Sequence, residues 1–160
     1  MKTLLTSTLA LLVLASAAVA SDGHDHGKVI PGPKGGRIVE VEGGHAEFLV
    51  QPDRKVSVTF YGEDMKATGP SEQVVTVVAE APAGKAKLEL EKTADGFLSR
   101  TVLPEGDGYR IVLQIRATEG AKPQNFRIDY HAETCGKCSR AEYACICAEE
   151  SGGGHGGHSH

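Results

Sequence analysis

The chain has 160 residues, of which 40% are hydrophobic and 24% charged, and its formal net charge at pH 7 is −4. A chain of this length can bury the core of one modest domain and still carry terminal tails. The near-neutral charge, the lack of a basic stripe and the absence of tryptophan exclude the composition typical of a nucleic-acid-binding protein. No basic amphipathic stretch favours binding to a membrane surface.

The first 20 residues have the pattern of a secretory signal peptide. Lys2 gives a positive start, the mostly apolar stretch from Leu4 to Val13 is too short to span a bilayer, and Ala18-Val19-Ala20 is the small-residue motif that a signal peptidase cleaves. We therefore expect cleavage after Ala20, a periplasmic or secreted mature protein, and no membrane segment after cleavage.

Composition divides the remaining chain into four zones. We predict a flexible His-containing leader at residues 21–34, a β-sandwich domain at 35–131, a small Cys-rich segment at 132–150 and a Gly/His tail at 151–160. The leader and the tail are polar and rich in glycine, so we expect both to be disordered.

The middle zone alternates apolar and polar residues with the two-residue period of β-strands. The stretch Val74–Val78 is instead rich in β-branched residues on both faces, which predicts a strand covered on both sides. Strands are predicted at 36–41, 45–50, 55–60, 74–78, 86–91, 97–102, 110–116 and 126–130, with Gly- and Pro-containing turns between them. The predicted fold class is all-β, an antiparallel two-sheet sandwich of the Ig-like or Greek-key type.

All four cysteines lie within one short segment, as Cys135-Gly-Lys-Cys138 and Cys145-Ile-Cys147. Four thiolates can close a tetrahedral site around Zn(II) or hold Cu(I). The glycine inside the first pair favours a tight turn that brings backbone amides toward sulfur. His131, four residues before Cys135, is a candidate replacement for one thiolate.

A continuous helix in this segment would be incompatible with a four-sulfur site. Ser139 and Glu142 have the spacing of a helix capping box, and residues 141–150 favour a helix. On a continuous helix Cys145 and Cys147 would point about 200° apart, so at most three sulfurs would converge. A four-sulfur site therefore requires the helix to end near Ala144.

Two other roles for the cysteines remain open. In an oxidising compartment the thiols can form structural disulfides by any of three pairings, and cross pairs that close loops of about ten residues would stabilise the fold by about 2–3 kcal/mol. Alternatively, Cys135 and Cys138 form a redox-active C-x-x-C motif, although no βαβ pattern surrounds it.

Further imidazoles lie near both ends of the mature chain. Neutral imidazole is the commonest metal ligand in proteins, and glycine-spaced histidines can bind an ion without a fold. The candidate low-affinity ligands are His24, His26, His155, His158 and His160.

Within the sandwich, His45 and Glu47 are expected to be solvent-facing residues on one face of their strand. No nucleophile–base pair is evident in the middle zone, so we do not expect an enzyme.

Two short motifs resemble a known group of proteins. The stretch Pro33-Lys34-Gly35-Gly36-Arg37-Ile38-Val39-Glu40, followed by Gly44-His45-Ala46-Glu47-Phe48-Leu49-Val50, is similar to small periplasmic metal-handling proteins and to the N-terminal region of heavy-metal efflux adaptors, the membrane fusion proteins. Those proteins carry a His-rich leader, His-Gly-Gly before a strand, and a strand that alternates His and Glu, whereas here Lys34 replaces the first of these histidines. The resemblance covers about residues 23–62 and implies a periplasmic accessory role in metal handling.

These features together predict a periplasmic protein that binds zinc or copper, as Zn(II), Cu(I) or Cu(II), for sequestration or delivery. A component of a heavy-metal efflux system is the candidate partner. The four cysteines would form the tight site, with His131 as a further candidate ligand, and the terminal histidines would collect metal. The alternative is a disulfide-stapled sandwich that offers a sheet edge to a partner protein and has no metal function.

Overall fold

The computed structural model describes residues 30–147. Within this range nine strands form two antiparallel sheets, and the helical structure is limited to one 3-10 turn. The elements are β1 (Arg37–Val41), β2 (Gly44–Val50), β3 (Val56–Tyr61), β4 (Val74–Ala81), β5 (Gly84–Lys87), β6 (Leu90–Lys92), β7 (Gly96–Ser99), β8 (Tyr109–Arg116), β9 (Gln124–Tyr130) and the turn η1 (Glu142–Ala144). The part of the chain so described contains no helix that is long and apolar enough to cross a membrane.

The first sheet has the strand order β1-β2-β3-β7-β6 and the second has the order β5-β4-β8-β9. Both sheets bury one face against the other, which confirms the predicted all-β sandwich. Phe48 and Val58 of the first sheet and Ile111 and Leu113 of the second are fully buried. Each apolar side chain of this size contributes about 1.5–3 kcal/mol when it is removed from water, so the core lies between the sheets and stabilises both.

The predicted strand at 86–91 is wrong, because the chain changes sheets in its middle. Residues before Leu88 pair with β4 in the second sheet, and those after Glu89 pair with β7 in the first. Leu88 is buried, and its N–H donates to the carbonyl of Val77 at 2.9 Å. Leu88 and Leu90 both pack against the shared core, so the alternation of the sequence continues through the crossing.

The prediction that Val74–Val78 is covered on both sides is also wrong. Along β4, Val75, Val77 and Ala79 are buried, whereas Val74 and Val78 remain half-buried on the outer face. The β-branched residues of the outer face suit a central strand, where they pack sideways on neighbouring strands of the same sheet.

The chain beyond β9 folds back onto one end of the sandwich. The ring of Tyr143 is buried there, edge-on to Phe48 with centroids 6.0 Å apart and tilted against Tyr130 at 5.6 Å. The N–H of Val50 donates to the hydroxyl oxygen of Tyr143 at 2.9 Å. Tyr143 therefore closes the end of the core and fixes the position of the cysteines on either side of it.

Candidate metal centre

Residues 132–147, which we call the cysteine hairpin, begin as a short antiparallel pairing. Thr134 and Ala141 form a β-bridge, and the N–H of Cys135 donates to the carbonyl of Arg140 at 2.7 Å. The N–H of Ser139 donates back to the carbonyl of Cys135 at 2.9 Å, and Ser139 has a φ of 59°. This left-handed residue reverses the chain between the first two cysteines and the last two.

The predicted helix at 141–150 is wrong over the residues that the structure describes. Ser139 does not cap it, because no side-chain cap bond is made and η1 is only the three residues Glu142–Ala144. Cys145 is already extended, with φ −61° and ψ 133°. The helical turn thus ends at Ala144, which is the condition that a four-sulfur site requires.

The four cysteine sulfurs converge. The sulfurs of Cys135, Cys138, Cys145 and Cys147 all lie within 4.8 Å of one another, and the hydrogen-bonded pairs are 3.5, 3.7 and 3.8 Å apart. A tetrahedral Zn(II) site with Zn–S bonds of about 2.3 Å has sulfurs separated by about 3.8 Å. The cluster can therefore hold a tetrahedral ion with small side-chain adjustments.

The cluster lies at the surface of the protein and consists of free thiols. Cys135 is buried and the other three cysteines are half-buried, so the sulfurs are partly open to solvent. Four thiolates around one tetrahedral ion leave no coordination position for a substrate, which is the arrangement of structural and storage sites. The geometry suits holding an ion better than catalysis by it.

Backbone amides make one of the four thiols unusually acidic. The N–H groups of Ile146 and Arg140 donate to the sulfur of Cys138 and lower its pKa to about 6. Cys138 is therefore a thiolate at neutral pH, and a thiolate is the form in which cysteine binds metal.

Two neighbouring thiols are shifted in the opposite direction. The pKa of Cys147 is raised to about 12, first by the neighbouring thiol of Cys145 and then by burial. The N–H of Cys147 lowers the pKa of Cys145, but burial and the hydrogen bond with Cys135 outweigh it and raise that pKa overall. Several thiolates this close repel one another, so full ionisation of the cluster needs a cation among them.

His131 is not part of the sulfur cluster. Its ring is exposed, and its Nδ1 lies 3.3 Å from Oδ2 of Asp107, whose other oxygen accepts the N–H of Ala132 at 2.7 Å. Asp107 thereby ties the start of the hairpin to the loop before β8. The other predicted ligands, His24, His26, His155, His158 and His160, lie outside the described residues.

Glu47 is buried, contrary to the expectation that it faces solvent. Its carboxylate accepts the N–H of Gly36 at 2.7 Å, the N–H of Lys34 at 2.9 Å and the hydroxyl of Tyr61 at 2.7 Å. Burial and then this hydrogen bond raise the pKa of Tyr61. The turn before β1 thus folds over the outer face of β2, and Gly32 is so close to it that a Cβ there would collide with the carboxylate of Glu47.

The cysteine hairpin is tied to that same turn. The guanidinium of Arg140 donates to the carbonyl of Gly32 at 3.2 Å, and that of Arg37 donates to the carbonyl of Tyr143 at 3.4 Å. Sequence reasoning missed these links. The signal in the sequence was the pair of glycines Gly32 and Gly36, which leave room for the side chain of Glu47 beside the turn. The contacts place the start of the described chain and the cysteines at one end of the sandwich.

The sequence matches no family model, and comparison with the curated proteins and with solved structures gave no match. Function is therefore inferred from the residues of the chain and their geometry. Among residues 30–147, the cysteine cluster is the group of side chains best arranged to hold an ion.

Proposed function

We propose that this protein binds a transition metal at Cys135, Cys138, Cys145 and Cys147 and serves to sequester or deliver it outside the cytoplasm. The convergence of the four sulfurs within 4.8 Å supports the proposal most strongly. These cysteines come from both strands of a hairpin that Tyr143 anchors in the core, so the ligands are brought together by the fold.

Zn(II) fits the cluster best, and Cu(I) is the second candidate. Three of the sulfur separations, at 3.5–3.8 Å, are close to the edge of a tetrahedral zinc–thiolate site, about 3.8 Å, and all lie within 4.8 Å. Cu(I) prefers the same soft ligands, so the donor set by itself does not distinguish the two ions. Competition between them for the reduced protein identifies the preferred one.

The half-buried sulfurs favour a role in which metal is exchanged. A site that ligands in solution can approach releases its ion to a partner more readily than a buried one does. In this proposal the terminal histidines, from His24 and His26 to His155, His158 and His160, collect metal weakly and raise its concentration near the cluster. A heavy-metal efflux component is the proposed recipient.

The decisive experiment is metal uptake by the full-length mature protein, reduced and freed of metal under anaerobic conditions. We expect one Zn(II) per chain, with X-ray absorption showing four sulfur ligands at about 2.3 Å. Cys138→Ser should weaken binding at least a hundredfold, whereas the matched control Ser139→Gly in the same turn should not. Tight uptake that survives substitution of the cysteines would place the site at other ligands, and no uptake at all would favour a disulfide-stapled sandwich. Either result would overturn the proposal.

Export is tested separately. The mass of the protein recovered from the periplasm or medium should correspond to a chain that begins at Ser21. A full-length chain retained in the cytoplasm would contradict this part of the proposal and leave the metal site to be judged on its own.

A further inference from the structure

Three sulfur–sulfur hydrogen bonds join the four thiols in a series. Cys147 contacts Cys135 at 3.8 Å, Cys135 contacts Cys145 at 3.5 Å, and Cys145 contacts Cys138 at 3.7 Å. The order in space, Cys147–Cys135–Cys145–Cys138, differs from the order along the chain. Cys135 and Cys145 occupy the middle of the series, and Cys138 and Cys147 are its ends.

A series of four can be divided into two pairs of contacting neighbours in one way only. The pairs are Cys135 with Cys147 and Cys138 with Cys145. A bond between the two middle members would leave the end sulfurs without their hydrogen-bonded neighbours. Bonds within each sequence motif join sulfurs that are not neighbours in the series, and in the C-x-C motif they also close a small, strained ring.

The two pairs are also compatible with the path of the chain. The loop closed by Cys138 and Cys145 lies inside the loop closed by Cys135 and Cys147, so the two bonds are nested and do not cross. Each pair of sulfurs must approach by about 1.7 Å to reach the length of a disulfide bond. Cys138, Cys145 and Cys147 are half-buried, so a reagent in solution can reach them.

We propose that the cluster is a redox-controlled site, in which a disulfide oxidant converts the four thiolates into the bonds Cys135–Cys147 and Cys138–Cys145 and releases the metal. This inference rests on the proposed function, because metal can be released only from a site that binds it. Among the three pairings open to four cysteines, the structure thus selects one.

The chemistry is thiol–disulfide exchange and needs two molecules of a low-molecular-weight disulfide for each protein. A cysteine thiolate attacks one sulfur of the oxidant, forms a mixed disulfide and expels a thiolate. Its partner cysteine then attacks the protein sulfur of that mixed disulfide and expels the second thiolate. Both pairs together yield two protein disulfides, four small thiolates and one free divalent ion, since four cysteine thiolates are oxidised and four oxidant sulfurs are reduced.

The hairpin is held in a way that lets this change reverse. Tyr143 and Ala144 lie between the two halves of the cluster and stay buried in the core through contacts that involve no sulfur. The backbone bond between Cys135 and Arg140 likewise involves no side chain. Oxidation therefore rearranges side chains on a docked segment, and a reducing dithiol should restore the metal-binding form.

The test treats the reduced full-length mature protein with oxidised glutathione, in a metal-free arm and in a zinc-loaded arm. Thiols are then alkylated and the disulfides mapped by mass spectrometry. Trypsin cleaves after Lys137 and Arg140, which separates Cys135, Cys138 and the peptide with the last two cysteines. Fragmentation at Ile146 assigns the partners of Cys145 and Cys147. A zinc-sensitive dye follows release in the loaded arm.

Two double variants provide a matched pair. Cys135→Ser with Cys147→Ser retains the predicted partners Cys138 and Cys145, whereas Cys135→Ser with Cys145→Ser retains the two ends of the series. We expect the first to form an intramolecular disulfide at least tenfold faster than the second, which should accumulate mixed disulfides with glutathione.

The expected result is the nested pairing in both arms, with one zinc ion released for every four thiols lost. A different pairing, equal rates in the two double variants, or zinc retained after the thiols are oxidised would overturn the inference. If the reduced protein takes up no metal, the proposed function fails and the release step fails with it. The pairing is still decided by the metal-free arm, so the two failures are distinguishable.

Discussion

The sandwich and the cysteine hairpin are stabilised in different ways. Among residues 30–147 the core contains twenty buried apolar residues, of which Tyr143 and Ala144 belong to the hairpin. The sandwich has continuous ladders such as β4 with β8, whereas the hairpin has one bridge between Thr134 and Ala141. The sandwich can therefore fold on apolar burial, while the hairpin depends on the Tyr143 anchor, on a few hydrogen bonds such as that of Arg140 with Gly32, and on the metal or disulfides that join its sulfurs.

Metal removal should separate the two regions most clearly. A ligand that binds only the ordered hairpin stabilises it by about 4 kcal/mol at a thousand times its dissociation constant. Chelation should then speed amide hydrogen exchange at Cys135 and Glu142 by about a thousandfold and leave exchange along β8 unchanged. Equal acceleration in both regions would show that metal stabilises the whole domain.

The anchor of the hairpin gives the largest expected effect of a single substitution. Tyr143→Ala should lower the free energy of unfolding by about 4 kcal/mol, because the ring contacts with Phe48 and Tyr130 are lost and a cavity remains. Tyr143→Phe loses only the bond with the N–H of Val50 and should cost about 1–2 kcal/mol. Urea denaturation measures both, and similar small losses would mean that Tyr143 does not close the core.

Metal affinity should rise with pH. The pKa of Cys147 is raised to about 12 and that of Cys145 is also raised, so both thiols are protonated at neutral pH and must lose a proton when metal binds. Below those pKa values each proton released changes the affinity tenfold per pH unit, so we expect at least a hundredfold between pH 6.5 and pH 7.5. Calorimetry in buffers of different ionisation enthalpy counts the protons, and a count below two would contradict the prediction.

A change at Glu47 should affect the sandwich and not the metal site. Glu47→Gln replaces one acceptor oxygen with a donor in a buried site that faces three donors, and should cost about 2 kcal/mol of stability. The exposed Glu40 in the neighbouring strand is the control, and Glu40→Gln should cost less than about 0.5 kcal/mol. A large loss of metal affinity in Glu47→Gln would show that the two regions are coupled through Gly32.

The smallest effect is expected at His131. Its ion pair with Asp107 is exposed, so His131→Ala should change stability by less than about 1 kcal/mol. Metal stoichiometry and affinity should stay the same, because the ring is not part of the sulfur cluster. A tenfold loss of affinity in zinc titrations would instead place His131 among the ligands.

The sequence predicted several strands well because those strands, such as β4 and β8, bury alternate residues. Ile111, Leu113 and Ile115 alternate in the sequence with more exposed residues, as expected for a strand with one buried face, and the corresponding strand β8 is present. The same period could not reveal the change of sheet at Leu88, since both sheets share one core. Periodicity reports which side of the chain is buried and does not report which strand lies beside it.

The site was harder to predict, because tertiary contacts overrule local preferences there. Ser139 and Glu142 match a capping box, but the pairing of Thr134 with Ala141 and the docking of Tyr143 impose a turn instead. Glu47 looked like a surface residue because nothing in its own strand shows that the turn before β1 covers it. The four cysteines were identified from their spacing, whereas their convergence depended on where the helical turn ends.

The contact between Arg140 and Gly32 brings together parts of the chain that are 108 residues apart. The described chain therefore enters and leaves the domain at the same end, which is the arrangement that tolerates circular permutation. A short linker from Cys147 back to residue 30, with new termini opened at the exposed turn around Gly84, would keep every cysteine in place. Such a permuted domain would join a host protein through its new termini and would carry its four cysteines with the geometry that they have in the native chain order.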